Sequence, residues 1–411
     1  MPRIPPELCA RCKGYKKLCG LPRCPILESF RAQVKATVKT RGTLVEGATP
    51  PGILVGEAGY PRVRVYYMIP PGLYGEEAYY HDAPKLWALR GESLARIISL
   101  RSELLSANLR VNVRDPFTLY QKEIGLAAIS VKPVESEAKL AKPPVPRLVF
   151  DGISKPRGPS APVERIRVSG NPQLPRIVER IIWDDAPAVN AIIELYKSGL
   201  DVYNIQKIMS VGFLGRMRNR RVVPTRWAIT AVDETVSRHL RLQLRDKPEI
   251  DSIEVYHGEY LGNRFVVVLK PGPGSFEWIE AWQPHTLWTK AARDPVLWRV
   301  EEDPLGRKTA EDGGFSAAKI AVLEHLVSRG RNADVVILRE ITPSYYAPVG
   351  NWHIRETVRR ALARGPLLRT SSEDEAVGLV RRLLDNPDAV LRMSRFLPGG
   401  RYRRTRITDF F

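Results

Sequence analysis

A mixed α+β globular core, with a small four-cysteine knuckle at its N-terminus and a flexible basic tail at its C-terminus, is the fold class that three observations predict. Apolar residues at helical spacing alternate irregularly with short β-rich runs along the 411 residues. All four cysteines crowd into residues 9–24. The basic excess gathers at the two ends: residues 1–42 hold ten Lys/Arg against Glu7 and Glu28, and residues 392–411 hold six Arg against Asp409. Hydrophobic residues at 44% and charged residues at 27% are ordinary globular usage, in a chain long enough to bury a large core. The chain therefore divides into a zinc-finger-like knuckle over 1–30, a core over 31–395 with a subdivision near 142–176, and a tail over 396–411.

The knuckle comes first. In Cys9-Ala-Arg-Cys12 a C-x2-C turn lets two thiolates reach one ion, and Cys19 and Cys24 complete a tetrahedral set. Structural zinc fits best. An iron–sulfur cluster is the alternative, because Cys24-Pro25 resembles a ferredoxin ending, and disulfides are disfavoured in a segment with no core to constrain. Four protein ligands leave no open position for a substrate. Arg11, Lys13, Lys16, Lys17 and Arg23 offset the thiolate charge and make the outer face basic.

The formal net charge of +19, concentrated at the ends, predicts attachment to a polyanion, most often nucleic acid. No apolar run approaches the roughly 18 residues of a membrane helix, and MPRIPPELCARC lacks the apolar stretch of a signal peptide. The expected location is cytoplasmic and nucleoid-associated, with no membrane partner.

Along the body, Ile26 to Val38 reads as a short helix, and residues 52–75 as two strands broken by Gly-Tyr-Pro. Residues 84–109 carry Leu94, Ile97, Ile98, Leu104 and Leu105 at helical spacing, which predicts one helix. Helix and strand follow, leading to residues 142–176, dense in Pro and Gly. Connections of that length are uncommon inside a domain unless they link domains or carry a site. Amphipathic helix resumes at Val178, and Thr225 reads as the N-cap of a helix through Arg245. DSIEVYHGEYLGNRFVVVLK gives two strands, FSAAKIAVLEHLVSRGRNADVVILREITP gives helix, turn and buried strand, and helices near 353–363 and 372–385 precede the tail.

Two groups of side chains suggest chemistry. Arg216, Arg218, Arg220, Arg221 and Arg226 fall within eleven positions without an acid among them. Arginine forks bind phosphate bidentately, and a helix beginning after Pro224 adds an N-terminal dipole, so this segment is a candidate phosphate or DNA site. The alternative is an arginine–carboxylate network that holds two elements together. Asp233 and Glu234 on the following helix, with His257 beside a turn, are the catalytic candidates of a metal-dependent nuclease or phosphohydrolase, which requires a second divalent metal. Adjacent helical carboxylates point about 100° apart, so one metal does not readily take both. Arg339, Glu340, Tyr345 and Asn351-Trp352-His353 cluster after a buried strand, where α/β sites form. No P-loop, G-x-S-x-G elbow or G-x-G-x-x-G turn occurs.

In the tail, Ile407, Phe410 and Phe411 stand at i, i+3 and i+4, so a single helical turn presents them together as a docking plug. The spacing resembles the sliding-clamp (PCNA) interaction motif, with Ile407 as the aliphatic and Phe410-Phe411 as the aromatic pair. Arg404 stands where that motif has glutamine. CARCKGYKKLCGLPRCPIL, GPSAPVERIRVSGNP and GFLGRMRNRRVVPTRWAIT together resemble the archaeal Nre ("novel repair") family across nearly the whole chain. That resemblance implies a zinc-finger-like N-terminus, a role in DNA repair and recruitment by the sliding clamp. It implies no particular reaction. A DNA-binding repair factor, a nuclease or phosphohydrolase, and a pure scaffold are the three classes of function that follow.

Overall fold

The computed structural model describes residues 11–12, 14–21, 23–147, 155–290 and 292–397. It consists of two compact units, one built from residues 25–236 and one from residues 1–24 with 237–411. Each holds a six-stranded mixed sheet with helices, so the core is α+β. Among the described residues no helix is long and apolar enough to cross a membrane.

The first unit opens with α1 (Pro25–Val38), followed by β1 (Leu44–Thr49), β2 (Leu54–Val55) and β3 (Arg62–Ile69). The reading of one helix over residues 84–109 is corrected. Gly91, at φ 66°, ends α2 (Pro84–Arg90), and Ser93 caps α3 (Leu94–Ser102) by accepting from the Arg96 N–H. The chain then enters β4 (Leu105–Asn112). The five apolar residues are all buried, but Leu104 and Leu105 are buried by the sheet. Short helices α4 (Phe117–Gln121) and α5 (Ile124–Ile129) lead to β5 (Val134–Leu140), and β6 (Ser160–Val168) lies inside the Pro/Gly-dense stretch. The sheet order is β1-β5-β6-β4-β3-β2, antiparallel except for the parallel pair β4–β6. In β3, Val63, Val65, Tyr67 and Ile69 go to the core while Arg62 and Arg64 face out, the alternation of a half-covered strand. Three helices follow, α6 (Arg176–Trp183), α7 (Ala188–Lys197) and α8 (Val202–Ser210), and then α9 (Thr225–Leu244), in which the division between units falls.

The second unit contains β7 (Ile253–Tyr260), β8 (Asn263–Lys270), β9 (Phe276–Trp282), β10 (Val296–Glu302), α10 (Gly313–Arg329), β11 (Asp334–Ile341), α11 (Trp352–Ala363), β12 (Leu368–Thr370), α12 (Glu373–Leu383) and α13 (Pro387–Met393). The order of its sheet is β10-β9-β11-β8-β7-β12. The β7–β8 hairpin turns at Leu261-Gly262, both at positive φ, as tight two-residue hairpins require. β11 is buried along its whole length, because helices cover both faces. Val266, Val268, Val336 and Leu338 pack with Val377, Val380, Val390 and Leu391 of α12 and α13, and Phe276 and Trp278 meet Phe315 of α10 on the other side.

Candidate functional site

The first unit holds a cavity of about 450 Å³ whose described walls include Arg64, Lys142, Arg147, Lys155 and Arg157 and no carboxylate. Three structural devices build it. Gln33 of α1, nearly buried, accepts from the Arg147 backbone N–H at 2.9 Å while its amide donates to Ser29, so the helix holds the loop by its main chain. Buried Arg101 of α3 pairs with Asp82 at 2.5 Å and reaches the Pro156 carbonyl at 3.4 Å, which steadies the arch that carries Lys155 and Arg157. Gly158 lies so close to the link between α3 and β4 that a Cβ there would sit 2.0 Å from the Leu104 carbonyl oxygen.

The electrostatics of this cavity favour an anion. Burial, reinforced by the Arg101 guanidinium and only partly offset by Asp82, pulls the Lys155 ammonium down to about 8. Arg157 lies over the Tyr66 ring, 4.8 Å from its centre. Asn108 donates to Ser160 Oγ at 2.8 Å across the parallel strands. Ser106, 2% exposed, lines the cavity with a hydroxyl that has no partner among the described residues. None of these cations was singled out from the sequence. The signal was present, in that KPPVPR and KPRGP are basic runs inside the stretch read as a linker or a site-bearing loop.

The arginine segment disperses. Arg220 is buried, and its guanidinium donates to the carbonyls of Gly215, Ile181, Ile182 and Asp184, so its donors are taken by the main chain. It holds the C-terminal end of α6 in place, and those donors are not turned to a phosphate. Arg226 pairs with Glu57 at 2.9 Å, and Arg218 is exposed on a short 3₁₀ turn. Of the five, only Arg216 and Arg221 border a second cavity, of about 490 Å³, with walls that are otherwise mainly apolar. Thr225 does not act as an N-cap: its hydroxyl accepts from the Val55 N–H and meets Ser210.

The catalytic candidates are not brought together. Asp233 is buried and accepts from Gln206 at 2.8 Å, Glu234 is half-buried, and neither lines the cavity bordered by Arg216 and Arg221. His257 stands on β7 with Glu259 at 3.4 Å, and burial holds its ring below the usual histidine range. In the second unit Arg339 donates to Asn263 and Glu280 and approaches His353 at 3.4 Å, with the Tyr345 ring against that of His353. Glu340 points to the opposite face of β11 and accepts from the Asp385 and Asn386 N–H groups.

Of the cysteines, Cys12, Cys19 and Cys24 are described and are free thiols; Cys9 lies outside the described residues. Backbone N–H groups, foremost that of Leu18 and then those of Gly14, Lys17 and Lys16, aim at Cys12 and lower its pKa, which favours the thiolate a metal needs. Gly14, Lys17 and Gly20 take positive φ to close this turn. Among the described residues no group of three or more His, Cys, Asp or Glu side chains is placed to hold a metal ion. Ile407, Phe410 and Phe411 lie outside the described residues.

A family model described as "Archaeal Nre, N-terminal" matches residues 18–289, and one described as "Archaeal Nre, C-terminal" matches residues 302–410. The chain is 35% identical over 380 residues to DNA repair protein NreA of Archaeoglobus fulgidus, covering 91% of this chain and 93% of that protein. It is 36% identical over 361 residues to DNA repair protein NreB of the same organism, covering 86% and 88%. DNA repair protein NreA of Haloferax volcanii is 33% identical over 397 residues, covering 93% and 92%. No solved structure matches.

Proposed function

The chain belongs to the archaeal Nre family, and on that premise we propose that it is a DNA repair protein that binds DNA through the cationic cavity of its first unit. The relatives named DNA repair proteins support the role. The observation that carries the binding is the cavity wall itself, lined by five cations and no carboxylate, with Asp82 behind it already paired to Arg101. Such a surface concentrates phosphate, and the net charge of +19 favours the encounter with DNA. Cys9, Cys12, Cys19 and Cys24 hold a structural zinc. Ile407, Phe410 and Phe411 dock on the sliding clamp (PCNA), which keeps the protein at the nucleoid.

The test is fluorescence anisotropy of the full chain on DNA across a salt series. Affinity is expected to fall steeply with salt, and Lys142→Glu with Arg147→Glu to flatten the log–log slope by about 0.7–0.9 for each phosphate no longer neutralised. Weak, salt-insensitive binding sinks the proposal. A chain ending at Arg406 is expected to keep DNA affinity and lose binding to the clamp. The phosphohydrolase alternative needs carboxylates beside the phosphate site, and Asp233, Glu234 and His257 line neither cavity.

A further inference from the structure

The open face of the first unit's sheet extends the cavity. β3 and β4 pair with Arg62 opposite Asn112, Arg64 opposite Arg110, Tyr66 opposite Asn108 and Met68 opposite Ser106. Directly opposed residues share a face, so Arg62, Arg64 and Tyr66 stand beside Asn108, Arg110 and Asn112. Arg62, Arg64, Arg110 and Asn112 of this array are exposed and Tyr66 and Asn108 half-buried, while the alternate residues of both strands are buried except the half-buried Leu109. Arg64 directly opposite Arg110 is a pairing that destabilises a sheet, and no ion pair with a described carboxylate relieves it. An anion bound between the two guanidinium groups would relieve it.

One end of this strip is the cavity, where Tyr66, Asn108 and the unpartnered Ser106 hydroxyl form the wall. At the other end β3 starts just after Tyr60, a residue 54% exposed, whose ring sits 5.6 Å from that of Trp227, a residue 48% exposed. Two large half-exposed aromatic residues beside Arg62 and the Arg226–Glu57 pair are what a single strand uses to stack its bases. From Arg62 to the level of Ser106 the strip runs six residues, roughly 20 Å. A cavity of about 450 Å³ admits one nucleotide and cannot admit a duplex.

From this geometry we infer that the face binds single-stranded DNA: one nucleotide enters the cavity, the adjoining phosphates cross Arg64, Arg110 and Arg62, and a base stacks on Tyr60 and Trp227. The inference rests on the DNA-binding reading above and deepens it. The strip sets a site of about four nucleotides, the low end for single-strand modules.

The experiment titrates the full chain with labelled oligothymidylates of two to twelve nucleotides and with a blunt duplex of the same length, at several salt concentrations. The single strand is expected to bind at least tenfold tighter than the duplex, with affinity levelling off beyond about four to six nucleotides. Tyr60→Ala with Trp227→Ala, both exposed and so compatible with folding, is expected to weaken single-strand binding about tenfold and leave duplex binding unchanged. Arg64→Glu with Arg110→Glu is expected to abolish the preference. Salt-dependent binding with equal affinity for both forms, or no effect of the aromatic pair, overturns the inference and leaves the DNA-binding proposal standing. Salt-insensitive binding to every DNA overturns both.

Discussion

Arg220 donates to four main-chain carbonyls from a buried position, a use of the guanidinium fork that lysine cannot copy. Arg220→Lys leaves several of those carbonyls unsatisfied and is expected to destabilise the first unit by about 3 kcal/mol, read by chemical denaturation. Arg218→Ala, two residues away and exposed, is expected to change stability by less than about 0.5 kcal/mol. The five arginines look alike in sequence, and only the fold tells them apart. His353 makes a second residue-scale prediction. Burial, then the neighbouring Arg339 charge, drives its ring down to about 3, although Nδ1 donates to the Gly350 carbonyl at 2.7 Å. In the unfolded chain the ring titrates near 6.5, so between those values the unfolded state holds the extra proton. Its contribution is therefore complete above pH 6.5 and lost as the pH falls, at up to about 1.4 kcal/mol per unit. His257 and His325, also depressed by burial, act with the same sign. Denaturation from pH 7 to 4.5 is expected to show that slope, and His353→Gln to reduce it.

At the scale of elements, helices capped by Ser93, Asp312 and Ser372, and the Leu261-Gly262 hairpin, follow from local chemistry; the spacing of apolar residues shows the strands and helices, but not these caps. The failures have physical causes. β4 carries Leu105, Ala107, Leu109 and Val111 at period two, directly after a true helix of similar composition, so helical spacing ran on past its end. β6 begins Ser-Ala-Pro, and its proline sits where it pairs with Asn108 in a short parallel ladder, a partnership invisible along the chain. The approach of Gly158 to Leu104 offers a test: Gly158→Ala forces the arch away from it, and is expected to cost about 1–3 kcal/mol and to weaken DNA binding. Denaturation and anisotropy on the same variant separate the two effects.

For the whole molecule, a net charge of +19 is a field that draws in polyanions in general, but it does not locate a site. A ligand that binds the folded state alone stabilises it, so an oligonucleotide at a hundredfold excess over Kd is expected to add about 2.7 kcal/mol to the unit that holds the site. Thermal melts with and without the oligonucleotide check this, and the Lys142→Glu, Arg147→Glu variant is expected to lose most of the shift. By itself the sequence determined the mixed α and β character, the family, the cysteine set and the plug-like spacing of Ile407, Phe410 and Phe411. These are local or collinear properties, carried by spacing that survives without knowledge of contacts. The tertiary structure alone decided which cations share a wall. Arg64, Lys142 and Arg157 are far apart in the chain, and strand register, the arch pinned by Arg101 and the Gln33 clamp bring them to one cavity.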